Sequence, residues 1–137
     1  MPNNESGGTG SRARQPREYL DSNVILRFLL NDHPEHSPRA AALIRRAEAG
    51  EMTLAVSQHI ICEVVFVLEG QGYSRTDICG ALTRFAAIKG ITVQDSGPVL
   101  TALVLYRSLN VDFADALLHS IASYRGGRLW TFNKTLA

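Results

Sequence analysis

The chain has 137 residues, of which 45% are hydrophobic, and a formal net charge of +1 at pH 7. This length suits a single domain with a substantial core, and the near-neutral charge excludes any argument for nucleic-acid binding from global charge alone. The two cysteines, Cys62 and Cys79, lie far apart in the chain without a neighbouring His cluster, so zinc-ligand spacing is excluded. We interpret both as reduced core residues of a cytoplasmic protein.

The N-terminal segment is rich in Gly, Ser, Asn and Pro and lacks the apolar stretch that a secretory peptide needs. Its composition predicts a disordered tail over residues 1–17, followed by one domain over residues 18–137. Arg12, Arg14 and Arg17 could contact an RNA backbone, although a solvated tail without function is the favoured interpretation. Later apolar stretches are broken by charges before the roughly 20 residues needed to cross a bilayer, which predicts a soluble protein without membrane contact.

Short apolar runs alternate with amphipathic patterns from residue 18 onward, which is typical of an α/β domain with a parallel sheet covered by helices. Cap residues, glycines and prolines mark the ends of the helices. The strands are predicted near residues 18–21, 52–56, 91–94 and 128–132, and the helices over about 24–30, 35–49, 58–70, 74–90, 97–108 and 112–126.

Four acidic side chains occupy positions that folding alone does not easily explain. Asp21 follows the first strand, Glu63 lies inside the apolar run 59–68, and Asp112 and Asp115 stand at the entrance to the last helix. Burying a carboxylate is costly unless it is paired or bound to a cation. Ligands of open parallel sheets bind at the carboxyl ends of the strands, and right-handed connections would bring these elements together there.

Several carboxylates at one edge of a sheet repel each other strongly unless divalent cations neutralise them. Oxygen-only ligands suit Mg²⁺ or Mn²⁺. Each acid also has an interpretation without function: Asp112 and Asp115 as an N-cap and an N3 acid, Asp21 as a turn residue, and Glu63 as part of a half-exposed helix. The conjunction of the four favours a metal site.

Four segments in sequence order resemble the successive motifs of PIN-domain ribonucleases, and among these they most resemble the VapC toxins. The segments are Leu20–Leu26, Glu63–Leu68, Asp112–Leu117 and Trp130–Lys134. The resemblance runs from about residue 18 to 136 and implies an α/β/α sandwich with a central, mostly parallel sheet. It also implies a Mg²⁺- or Mn²⁺-dependent endoribonuclease that forms a homodimer and is neutralised by a small VapB-type antitoxin.

The resemblance assigns roles to the four acids. Asp21, Glu63 and Asp115 match the three acids that hold the metal and carry catalysis, and Asp112 matches an adjacent, auxiliary acid. The implied mechanism is metal-assisted hydrolysis of a phosphodiester, in which a cation held by Asp21 and Asp115 acidifies a water molecule and Glu63 orients or deprotonates it.

Three further residues of the motifs are auxiliary candidates. Ser22 supplies a hydroxyl near the first acid, and Thr131 could position a phosphate or a water molecule. Asn133 occupies the position where many relatives carry a fourth Asp. Since an amide keeps one oxygen ligand but removes a negative charge, a second metal should bind weakly or only together with the substrate phosphate.

Contacts with the RNA substrate and with a protein partner are also predicted. Arg125, Arg128 and Lys134 beside the last helix and strand are candidate phosphate contacts, together with Arg27 near the first strand. A helix-receiving groove is suggested by the mixture of apolar and Arg positions in the segments 24–30 and 39–46, although core packing explains the apolar positions equally well.

A second function stays open at this point. Asn133 and the short segment that follows it are also compatible with a PIN-like module that binds an antitoxin or RNA without cutting it.

Overall fold

The computed structural model describes residues 17–136, in which strands and helices alternate along the chain. The predicted tail therefore lies outside the described residues, except for Arg17, which begins the first strand. The elements are β1 (Arg17–Tyr19), α1 (Ser22–Leu30), α2 (His36–Glu48), β2 (Thr53–Val56), α3 (Gln58–Gly70), α4 (Arg75–Ala86), β3 (Ile91–Val93), α5 (Ser96–Ser108) and α6 (Phe113–Tyr124).

The three strands of the described part form one parallel sheet in the order β1, β2, β3. Tyr19 pairs with Ala55, and Val56 pairs with Val93. Parallel neighbours need crossover connections, and here each crossover is made by helices. The predicted fold class, an α/β/α sandwich with a central parallel sheet, is confirmed.

The core forms where the apolar faces of the helices meet the sheet. Helix α3 contributes Ile60, Ile61, Val64, Val65 and Leu68, which recur at the spacing expected for one side of a helix. Of the two free cysteines, Cys79 is buried and Cys62 is half-buried. None of the helices between residues 17 and 136 is long and apolar enough to span a membrane.

The fourth predicted strand, over residues 128–132, is wrong. This segment has no regular secondary structure, bends at Phe132 and forms no strand ladder with any of the described residues. Its side chains still alternate: Arg128, Trp130 and Phe132 are exposed, whereas Leu129 and Thr131 are half-buried. Alternation and aromatic content express only a preference for extended backbone, while a strand also requires a partner whose backbone groups are free.

Candidate functional site

A cavity of about 590 Å³ lies between the start of α1, the middle of α3 and the start of α6. Its wall includes Ser22, Glu63 and Asp112, and also Glu69 and Phe66. Two of the four predicted acids, Glu63 and Asp112, are therefore brought to one cavity from helices that are distant in sequence. Both are exposed, so the expectation that the apolar run around Glu63 buries its carboxylate is corrected.

Asp21 and Asp112 occupy N-cap positions, of α1 and α6 respectively, with extended backbone angles. Neither carboxylate accepts a capping hydrogen bond within the described part of the chain. The N-cap of α4 is different, because the Ser74 hydroxyl accepts a bond from the backbone N–H of Asp77 at 3.0 Å. Both residues stand at N-cap positions, but the capping hydrogen bond that would give their carboxylates a role in folding is not made in the described part of the chain.

The predicted acids also lack cationic partners among residues 17–136. The ion pairs there join Arg27 to Asp32, Arg46 to Glu51 and Arg125 to Asp95, at 3.1, 3.0 and 2.6 Å. None of the four predicted acids takes part in them. Their carboxylate oxygens remain available to a cation from solution.

The donor chemistry of the cavity fits a hard divalent cation, since carboxylate oxygens are the ligands that Mg²⁺ and Mn²⁺ prefer. Over residues 17–136, however, no three His, Cys, Asp or Glu side chains form a group that could hold a metal ion. Asp21 and Asp115 are not among the residues that line the cavity, although Asp21 precedes the lining residue Ser22 and Asp115 follows the lining residue Asp112 by less than one turn of α6. Both stay predictions as ligands, and the cavity itself presents Glu63 and Asp112.

Glu69 is a third acid of the cavity wall, and no pattern in the sequence indicated it. Its carboxylate accepts a hydrogen bond from the hydroxyl of Tyr106, a fully buried residue of α5. Burial raises the pKa of Tyr106 well above its ordinary value, and the hydrogen bond to Glu69 and the negative charge of Glu69 raise it further. The sequence showed only that Glu69 is an acid six residues after Glu63 on the same helix. Its hydrogen-bond partner, Tyr106, is 37 positions away along the chain, which local patterns do not reveal.

The C-terminal candidates lie apart from this cavity wall. The Thr131 hydroxyl accepts a bond from the backbone N–H of Asn133, and the Asn133 side-chain oxygen accepts one from that of Thr135, both at 3.0 Å. These two side chains therefore order a local turn. Arg125 is paired with Asp95, whereas the Arg128 guanidinium lies 5.7 Å from the centre of the Trp130 ring.

In a comparison against known families, the model for the PIN domain matches residues 19–137. The chain belongs to the PIN-domain family. PIN domains are generally nucleases and typically use divalent metal ions, so membership indicates a nuclease-like activity for this PIN domain. No curated protein matches the sequence at a significant level.

Proposed function

We propose that this PIN domain is a metal-dependent endoribonuclease and the toxin of a VapBC-type toxin–antitoxin pair. One observation carries the catalytic part of the proposal. Glu63 from α3 and Asp112 from the start of α6 line the same cavity, and no cationic side chain among residues 17–136 is paired with either of them.

The metal donors in this proposal are Asp21, Glu63 and Asp115, with Asp112 as the adjacent acid. A bound Mg²⁺ or Mn²⁺ supplies Lewis-acid chemistry at the phosphodiester. Glu63 orients the attacking water and accepts its proton on a carboxylate oxygen. Ser22, which lines the same cavity, offers a hydroxyl that can donate to a phosphate oxygen.

The substrate in this proposal is single-stranded RNA, because an unpaired strand can present one phosphate to the acids. Arg128 and Lys134 are exposed and form no ion pair within the described part of the chain, so they can contact flanking phosphates. Arg125 and Arg27 are weaker candidates, since each is already paired with an aspartate.

The partners in this proposal are a VapB-like antitoxin and a second copy of the chain. A groove of about 520 Å³ between α1 and α2 combines apolar walls, such as Val24 and Leu43, with Arg39 and Arg46. Such a lining suits an amphipathic helix with acidic residues, as expected for an antitoxin segment. The homodimer rests on the resemblance to VapC toxins.

A second candidate function is a PIN-like module that binds an antitoxin or RNA without cleavage. It is favoured by the lack of a three-ligand group among residues 17–136 and by the engagement of Asn133 in a local turn.

A cleavage assay on single-stranded RNA with Mn²⁺ distinguishes the two functions. We expect the natural chain to cleave and Asp21→Ala to lose about 100-fold or more of the rate, because each loss of about 1.4 kcal/mol of transition-state stabilisation costs a factor of ten. Glu48→Ala is the matched control, because Glu48 is an exposed acid at the end of α2. This variant should cleave RNA at the same rate as the natural chain.

Two outcomes would decide against the proposal. Cleavage that survives Asp21→Ala would remove the metal assignment. No cleavage by the natural chain, but cleavage by Asn133→Asp, would establish the binding module with a degenerate site.

A further inference from the structure

One arginine outside the cavity wall holds the chain segment that leads into Asp112. The Nη1 group of Arg75, in the first turn of α4, lies 2.9 Å from the carbonyl oxygen of Tyr106, 3.3 Å from that of Leu109 and 2.6 Å from that of Val111. The last carbonyls of a helix lack intrahelical partners and carry the negative end of its dipole. The Arg75 guanidinium therefore donates to backbone carbonyls at the end of α5 and in the connection that follows it, as far as Val111, the residue before Asp112.

The same guanidinium makes a second contact that reaches the residue after Asp112. Its central carbon lies 4.3 Å from the centre of the Tyr106 ring, and Tyr106 is fully buried. The Tyr106 ring meets the ring of Phe113 edge to face, with centres 5.9 Å apart. Phe113 is the first residue of α6, so Asp112 lies between Val111, bound by Arg75, and Phe113, packed on the ring that Arg75 covers.

Tyr106 extends this arrangement to the part of the cavity wall that α3 forms. Its hydroxyl donates to Glu69 of α3, the helix that also carries Glu63. Arg75 and Tyr106 together therefore connect four helices, α3 to α6, beside the cavity.

We infer that Arg75 is a positioning residue of the candidate active site. It fixes the start of α6, and thereby the carboxylate of Asp112, relative to Glu63 across the cavity. The inference rests on the proposed function for its effect on catalysis, but the positioning itself is a property of the fold. When two carboxylates are held in place before the substrate binds, less conformational entropy is lost on reaching the transition state.

Arg75→Ala in the full chain tests the inference by hydrogen exchange. We expect the amides of residues 109–117 to exchange roughly tenfold faster or more, since hydrogen bonds to a charged group are lost there. This segment includes the N–H of Ala116, which donates to the carbonyl of Asp112 at 3.0 Å. The amides of α1 should keep their natural exchange rates.

Arg84→Ala is the matched control. Arg84 lies in the last turn of the same helix, is exposed, and its side chain forms no hydrogen bond or ion pair with residues of the described range 17–136. The same truncation there should leave residues 109–117 unchanged. Arg75→Lys is a second variant, in case Arg75→Ala does not fold. It keeps a cation near the carbonyls but lacks the planar guanidinium that lies over the Tyr106 ring, so we expect an intermediate exchange rate.

Chemical rescue separates positioning from a general loss of stability. Methylguanidinium at millimolar concentration should enter the space left in Arg75→Ala and slow the exchange of residues 109–117 again. In the cleavage assay, kcat of Arg75→Ala should fall about 10- to 100-fold with a smaller change in KM, and the same additive should restore part of it. The Arg84→Ala variant should respond to methylguanidinium like the natural chain.

Two results would overturn the inference. One is an unchanged exchange rate of residues 109–117 in both Arg75 variants. The other is faster exchange spread evenly over all helices. If the natural chain does not cleave RNA, the proposed function fails, and the exchange of residues 109–117 still decides whether Arg75 positions Asp112.

Discussion

Glu63 lies in an apolar run and yet is exposed, because helix α3 directs it away from the side formed by Ile60, Val64 and Leu68. The sequence predicted a functional role for Glu63 because an acid among apolar neighbours is unusual. The structure supports the same role on another ground, since Glu63 and Asp112 line one cavity. Tyr106 had no such signal in the sequence. Its hydrogen bond to Glu69 and its contact with Arg75 depend on long-range packing, which single-sequence patterns do not encode.

Tyr106→Phe should change the pH dependence of stability. The pKa of Tyr106 is raised by burial above the value of about 10 for an unfolded tyrosine. Below that pH the Tyr106 hydroxyl is protonated in both the folded and the unfolded state, so its contribution to the free energy of unfolding is fully present. Above it the unfolded state releases the proton first, and stability falls by roughly 1.4 kcal/mol per pH unit from this group. The variant should lack this part of the decline.

The measurement is urea unfolding between pH 8 and about pH 11, with the pH range set by the ordinary tyrosine pKa. Tyr73→Phe is the matched control, because Tyr73 is an exposed tyrosine whose side chain forms no hydrogen bond within residues 17–136. A Tyr106→Phe variant whose stability declines as steeply as that of Tyr73→Phe would show that burial of Tyr106 does not govern the alkaline transition.

Cap residues located the starts of two helices well, whereas a glycine did not always mark the end of one. Helix α3 has the predicted bounds, with Ser57 at its N-cap, and α4 begins one residue after the predicted start because Ser74 is its N-cap. The helix predicted to extend to Gly90 ends at Ala86, because a turn at residues 87–90 is needed before β3. The strand predicted over 128–132 failed because the presence of a free neighbouring edge cannot be read from local residue preferences.

Gly90 marks a close approach between elements. Its φ of +91° is one that L-residues rarely adopt, and an added Cβ would lie 2.6 Å from the carbonyl carbon of Ala47 in α2. Gly72 has a similar φ of +89° with open space around it. We expect Gly72→Ala to lose roughly 1–2 kcal/mol from backbone strain alone. Gly90→Ala should lower Tm by at least about 4 °C more.

Thermal unfolding of both variants checks this comparison. Equal Tm values for Gly72→Ala and Gly90→Ala would mean that the contact with Ala47 does not limit the packing of β3 beside α2.

The whole molecule brings together residues that are far apart in sequence. The parallel sheet and its helical crossovers place α1, α3 and α6 around one cavity, and this could be anticipated from the alternation of elements and the handedness of their connections. Which of Asp112 and Asp115 lines the cavity could not be anticipated, because it depends on how α6 is rotated at its first turn. Resemblance favoured Asp115 as the metal ligand, whereas Asp112 lines the cavity.

The most direct test of the cavity as a metal site is calorimetric titration of Mn²⁺ into the full chain. The natural chain and Glu48→Gln should bind the ion with equal affinity, because Glu48 lies on α2 and is not part of the cavity wall. The double variant Glu63→Gln, Asp112→Asn should bind at least about 100-fold more weakly, since it loses one proposed metal ligand and the negative charge of the acid beside it. Undiminished binding by the double variant would contradict the assignment of this cavity as the metal site.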